Sequence, residues 1–217
     1  MRALLDYKTE IRVIIYSRER TMSRRSAAIV EDAYTAEEYL VFERAAETKH
    51  EYASGEIIAL AGASRAHILI TGNVHYRLRN QLDGRPCEVY VAEMRVRTTP
   101  TDYVYPDVVV VCGEPLFQDD EFDTLLNPTV LVEVLSASTE ARDRGDKLHD
   151  YGAVESVKDY LLISQDRIRI DHFVKQAGNE WKLRSYSEPG EVIKIDSIAC
   201  ELSLVDIYAQ VRFSPKK

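Results

Sequence analysis

Glu133 is the residue that most invites a chemical reading. It sits inside Val130-Leu131-Val132-Glu133-Val134-Leu135, a run of otherwise apolar positions. A continuous run of this kind indicates a strand covered on both faces. An ionised carboxylate taken out of water there without a partner costs several kcal/mol or neutralises itself. A sequence that keeps one usually supplies a metal, an arginine or a hydrogen-bond network. Asp107 repeats the pattern: directly after Pro106, it opens a second apolar run, Val108 to Cys112. If the two strands are neighbours, both acids converge at one sheet end. Hard cations such as Mg²⁺ prefer that set of one or two carboxylates completed by water and substrate phosphate. Residue types alone leave other roles open. Asp107 can cap the Pro106 turn, and Glu133 can pair with an arginine such as Arg95 or Arg97.

Lys147 follows on the helix expected after the Glu133 strand, four residues after Asp143 and four before Tyr151. Taken by itself it reads as half of an exposed helix ion pair with Asp143, worth a few tenths of a kcal/mol. The order of Asp107, Glu133 and a nearby lysine resembles the PD-(D/E)XK nuclease superfamily, and more closely its Uma-type restriction-endonuclease family. The matching pieces are Thr35-Ala36-Glu37-Glu38-Tyr39, His50-Glu51-Tyr52 with Gly55-Glu56, His67, Tyr105-Pro106-Asp107, Glu133-Val134-Leu135-Ser136, and Asp143 through Lys147 to Tyr151. Together they cover about residues 34–211.

The resemblance implies an α/β fold, a restriction-endonuclease-like mixed β-sheet flanked by helices. It implies a metal-dependent endonuclease hydrolysing DNA phosphodiester bonds, with Asp107 and Glu133 holding Mg²⁺ (Mn²⁺ as substitute) and Glu56 as an additional acid. Such a metal lowers the pKa of a bound water and offsets charge in the transition state. Lys147 would position or help deprotonate that water and stabilise the pentacovalent phosphate. The chain departs from the superfamily pattern at Leu135, where lysine is usual, and the resemblance transfers that role to Lys147. It departs again over Leu161 to Ser164, where relatives more often carry tryptophan and aspartate. The Leu135 departure keeps an alternative open: a degenerate nuclease fold serving DNA binding or dimerisation. His67 shares a helical face with Ile70 and Val74, which suits a core or rim histidine better than a catalytic one.

These residues need elements to hold them. Thr35 and Glu38 form a capping-box signature for a helix to about Glu47. His50 to Leu60 reads as a hairpin turning at Ser54-Gly55, and Ser64 to Leu82 as a helix with Ile70, Val74, Leu78 and Leu82 on one stripe. Glu88 to Arg97 alternates as a half-buried strand. Ser138 is a good N-cap for a helix from Thr139 to about Tyr151. Strands are expected at Tyr160 to Ile163, Arg167 to Lys175 and Trp181 to Tyr186, the last two joined at Gly178-Asn179. A further strand near Val192 and a helix at Leu202 to Val211 close the chain. The reading is one domain, 32–217, preceded by an N-terminal extension, 1–31. That extension carries scattered arginines, the short patch Val13-Ile14-Ile15-Tyr16, and then Met22. It is either an upstream segment of a chain whose natural start is Met22, or a basic arm with an extra edge strand.

Composition narrows the classes. The chain has 217 residues, 45% hydrophobic and 29% charged, which excludes global disorder, collagen and coiled coil. No apolar run approaches the roughly 18 residues needed to span a bilayer. Three widely spaced cysteines, Cys87, Cys112 and Cys200, suggest neither a disulfide framework nor a zinc site, hence a reducing, cytoplasmic setting. The five histidines show no ligand spacing on one helix. The acidic run Asp119-Asp120-Glu121 with Asp123 reads as a solvated loop. With a net charge of −8, any grip on DNA is modest, salt-sensitive, or dependent on a homodimer pooling two basic edges. Arg95, Arg97, Arg142 and Arg144 are the candidates to touch phosphates.

Overall fold

The computed structural model describes residues 33–177 and 180–213. The extension with its 13–16 patch and Met22, and the expected Gly178-Asn179 turn, lie outside the described residues. Thr35 caps α1 (Ala36–Ala45): its hydroxyl accepts the Glu38 amide at 3.2 Å, while the Glu38 carboxylate accepts the Thr35 amide at 2.8 Å. Each side chain thus satisfies a donor the helix end leaves orphaned. The hairpin β1 (His50–Ala53) and β2 (Glu56–Ala59) turns at Ser54 and Gly55, where φ is +100° at the glycine. A Cβ at Gly55 would stand 2.5 Å from that of Ala33, so the position needs glycine. Then comes α2 (Arg65–Gln81), capped by the Ser64 side chain.

The remaining strands are β3 (Cys87–Val91), β4 (Arg95–Thr99), β5 (Asp102–Val104), β6 (Val108–Cys112), β7 (Thr124–Leu125) and β8 (Val130–Leu135). After the helices α3 (Glu140–Arg144) and α4 (Asp146–Ala153) come β9 (Asp159–Ser164), β10 (Ile170–Lys175), β11 (Trp181–Tyr186), β12 (Val192–Ile195) and β13 (Cys200–Ser203). The last helix is α5 (Leu204–Ile207). A six-stranded sheet runs β11-β10-β9-β8-β6-β3, a five-stranded one β2-β1-β5-β4-β7, and β12 pairs with β13. Within the larger sheet β8 is antiparallel to β6 and parallel to β9.

Both faces of that sheet are covered. Val108, Val110, Val130, Val132 and Val134 pack with Ile70, Val74, Leu78 and Leu82 of α2 and with β12, β13 and α5. Val109, Val111, Leu131 and Leu135 pack the opposite way, with Val96, Val104, Tyr151 and Tyr160. This two-sided cover explains why β6 is apolar throughout and β8 at every position except Glu133, since each fully buried valine or leucine contributes about 1.5–3 kcal/mol.

Four expectations are corrected. The continuous strand over 88–97 is two strands in two different sheets, because the chain turns at Ala92 with φ +52°. The helix over 139–151 breaks at Gly145 into α3 and α4. Its N-cap is Thr139 without a side-chain cap bond, Ser138 instead lying 2.9 Å from the Ser136 hydroxyl. The segment 202–211 begins as β13 and is helical only over α5. Finally, Cys87 and Cys112 form a disulfide. They are 25 residues apart, and only the β3–β6 register sets them opposite each other, so spacing carried no sign of it. The cysteines therefore give no argument for a reducing compartment. No helix among the described residues is long and apolar enough to cross a membrane.

Candidate active site

The antiparallel register pairs Val108 with Val132. Asp107 directly precedes β6 and Glu133 directly follows Val132 in β8, so both acids lie at the same end of this strand pair. Asp107 accepts the Val134 amide at 2.7 Å through Oδ2, and the same oxygen lies 3.2 Å from Nε2 of His67 on α2. Both Asp107 and His67 keep partial solvent access, their side chains 15% and 17% exposed.

Glu133 is deeper. Its Oε1 accepts from Lys147 Nζ at 2.8 Å and from the Tyr151 hydroxyl at 2.8 Å. Lys147 is a hub rather than half of a surface pair: its ammonium also lies 2.9 Å from Glu51 Oε1 and 3.3 Å from Asp143 Oδ1. Glu51, Glu133, Asp143 and Lys147 are all buried. Glu51 in turn accepts the Tyr105 amide at 3.1 Å and pairs with Arg142. The break at Gly145 makes this geometry, since it re-aims the chain between Asp143 and Lys147. A Cβ at Gly145 would come within 3.2 Å of the Ala141 carbonyl.

Three buried carboxylates thus surround one lysine and one arginine, and their protonation divides accordingly. Burial pushes Glu133 well above the ordinary carboxylate range; Lys147 opposes this, while Asp143, Asp107 and Glu51 add to it. Burial likewise raises Asp143 against the pull of Lys147. At Glu51 burial acts upward too, but Lys147 and Arg142 together outweigh it and hold the carboxyl low. Burial opposes the charge of Lys147, yet Glu133, Glu51 and Asp143 prevail and push it well above an ordinary lysine. Lys147 is therefore a firmly charged ammonium, suited to stabilising negative charge and unsuited to taking up a proton.

Of the residues singled out in the sequence, the structure brings Glu133 and Lys147 into contact, while Asp107 binds the amide of the next residue, Val134, and its charge reaches Glu133. Glu56 is exposed next to the hairpin turn, and the hairpin acid in the cluster is Glu51. Arg95 does not face solvent: 2% exposed, it binds Asp123 at 2.8 Å, Thr124 Oγ1 at 2.8 Å and the Tyr105 hydroxyl at 3.2 Å, which removes it as a phosphate contact. Arg97 lies half-buried with Nη1 3.5 Å from Gln118 Oε1. Arg142 is tied to Glu51, and Arg144 to Glu140 at 2.9 Å and Asp171 at 2.8 Å. The acidic loop is likewise engaged, Asp119 and Asp123 both binding Arg44. Sequence reasoning missed Glu51 and Tyr151 as partners of this centre. The signal for Tyr151 was its four-residue spacing from Lys147, which puts both on one helix face.

The fold is similar to that of a crystal structure described as "a putative nuclease belonging to DUF820" from Anabaena variabilis. The TM-score is 0.69 at 19% identity, covering 82% of this chain and 99% of that one. Fold and cluster define a restriction-endonuclease-like α/β protein. Residues 36–207 match the model of the Uma2 family, described as "Putative restriction endonuclease", and the chain belongs to that family. It is similar to two Synechocystis proteins, "Uncharacterized protein sll1609" and "Uncharacterized protein slr1290". The first is 37% identical over 69% of this chain and 85% of that protein, the second 34% identical over 82% and 92%.

Proposed function

We propose that this protein is a divalent-metal-dependent DNA endonuclease. The observation that supports the reading is the buried Lys147 ammonium against Glu133, with Asp107 bound to the amide of the next residue along β8, Val134. Among the described residues no group of three or more His, Cys, Asp or Glu side chains is placed to hold a metal ion. Mg²⁺ does not require one, because it takes one or two carboxylates and completes its shell with water and substrate phosphate. The donor set fits an ion held in that way by Asp107 and Glu133. When bound, such an ion supplies an activated water and electrostatic relief for the phosphate.

The chain's own residues do the rest. The Val134 amide and His67 fix the Asp107 carboxylate. Lys147 and Tyr151 both donate to Glu133 Oε1 and orient that carboxylate, which would hold the ion together with Asp107. Lys147, anchored by Glu51 and Asp143, presents positive charge where the phosphoryl group gains negative charge.

The test is cleavage of supercoiled and linear DNA with Mg²⁺ or Mn²⁺. Asp107→Asn keeps the acceptor for the Val134 amide and is expected to cut at least about a hundredfold more slowly. Cleavage equal to wild type in that variant overturns the assignment. The second reading, a degenerate fold that binds DNA without cutting, is favoured by one feature: Glu133 Oε1 already carries both Lys147 and Tyr151. DNA binding without cleavage in either metal, unchanged in Asp107→Asn, is its outcome.

A further inference from the structure

Away from the carboxylate cluster, a cavity of about 380 Å³ opens between the start of β9, the end of β10 and the turn after β12. Lys158, Asp159, Val174, Lys175, Lys194, Asp196 and Ser197 line it. One lining residue is buried: Asp159, 2% exposed, takes His172 Nε2 at 2.7 Å through Oδ1 and the Ser197 hydroxyl through Oδ2. Both oxygens of Asp159 are thereby engaged within the protein, leaving exposed Asp196 as the other acid of the cavity.

The three lysines are held differently. Lys175 Nζ donates to the Val154 carbonyl at 2.8 Å, and Lys158 Nζ to the adjacent Glu155 carbonyl at 3.1 Å. Neutral carbonyls orient these ammoniums without cancelling their charge. Lys194 stands 3.6 Å from Glu201, with both side chains largely in solvent. Consecutive carbonyls thus draw two like charges to one cavity mouth. Burial, and after it the neighbouring Lys158, pushes the Lys175 ammonium below its ordinary range. A ligand carrying negative charge relieves that repulsion, whereas Arg95, Arg142 and Arg144 are already paired with acids.

We propose that this cavity is an anion site that takes a phosphate group between Lys158 and Lys175, with Lys194 at its rim. The group comes either from a small phosphate compound or from a nucleic-acid backbone. The site does not rest on the nuclease reading, because it shares no residue with the Asp107–Glu133 cluster.

The experiment is calorimetric titration of the full chain, without divalent metal, using inorganic phosphate, pyrophosphate and a short DNA duplex lacking terminal phosphates. Saturable binding is expected, about tenfold weaker in Lys158→Gln and in Lys175→Gln. Lys158 is exposed, so its variant keeps the wild-type fold by circular dichroism even if Lys175→Gln perturbs β10. Competition between pyrophosphate and the duplex assigns the site to the backbone; pyrophosphate binding untouched by duplex assigns it to a small phosphate compound. Absence of saturable binding to all three probes, or equal affinity in both variants, overturns the proposal. Loss of cleavage in Asp107→Asn leaves these titrations unchanged, so the two readings fail separately.

Discussion

Lys147 holds together a group of charges that cannot stand without it. Removing one partner of a buried ionic set costs roughly 3–5 kcal/mol, because the remaining charges stay buried and uncompensated. Lys147→Ala leaves Glu51, Glu133 and Asp143 facing each other. Its stability loss is expected in that range, measured by denaturant unfolding. Adding Glu133→Gln removes one of the repelling acids, so the double variant is expected to be more stable than Lys147→Ala alone. A simple sum of the two single effects would show that these groups do not interact.

Glu133→Gln also has a pH signature. The folded state holds the Glu133 proton above the ordinary value of 4.5, whereas the unfolded chain releases it there. Between those two values folding takes up a proton, so this group's contribution to stability falls as pH rises. Gln cannot titrate. Thermal unfolding of the metal-free variant is expected to lose less stability than wild type from pH 5 upward; parallel curves would place the proton elsewhere.

At the scale of elements, the site depends on where chains break as much as on where they run straight. α3 and α4 would be one helix but for Gly145, and one helix would carry Lys147 on a different line from β8. Gly145→Ala brings a methyl to 3.2 Å from the Ala141 carbonyl, a backbone atom that cannot swing aside. The expected cost is about 1 kcal/mol or more by thermal unfolding, with DNA cleavage falling further than stability does. Unchanged values for both would mean the break is not needed.

The same dependence sets what the sequence discloses. Asp107 and Glu133 are legible because an acid inside an apolar strand contradicts its surroundings. Glu51 is not, because His50, Glu51 and Tyr52 are all buried and β1 lies between β2 and β5, leaving no alternation to read. Glu56, beside the turn glycine, carries the same chemistry in the sequence and ends in solvent. The Ala92 break is invisible for a similar reason, since β3 and β4 both belong in strands and only their sheets differ. The Cys87–Cys112 pair is a product of sheet register, which no local pattern records.

For the whole molecule, charge decides how DNA could be held. The net charge is −8, and three of the four arginines expected to touch phosphates are committed internally: Arg95 to Asp123, Arg142 to Glu51 and Arg144 to Asp171. With that net charge, a bound duplex depends on local clusters of cations. Affinity for duplex falls with salt at a log–log slope of about −0.9 per phosphate neutralised. If Lys158, Lys175 and Lys194 supply the contacts, the slope is about −3. Fluorescence anisotropy across a salt series, with Ca²⁺ present to suppress cutting, measures it. Lys158→Gln is expected to make the slope shallower by about one unit. A slope near −8 would require many more phosphate contacts than the lysine cavity supplies. A slope near zero would remove backbone phosphate as the ligand of the lysine cavity.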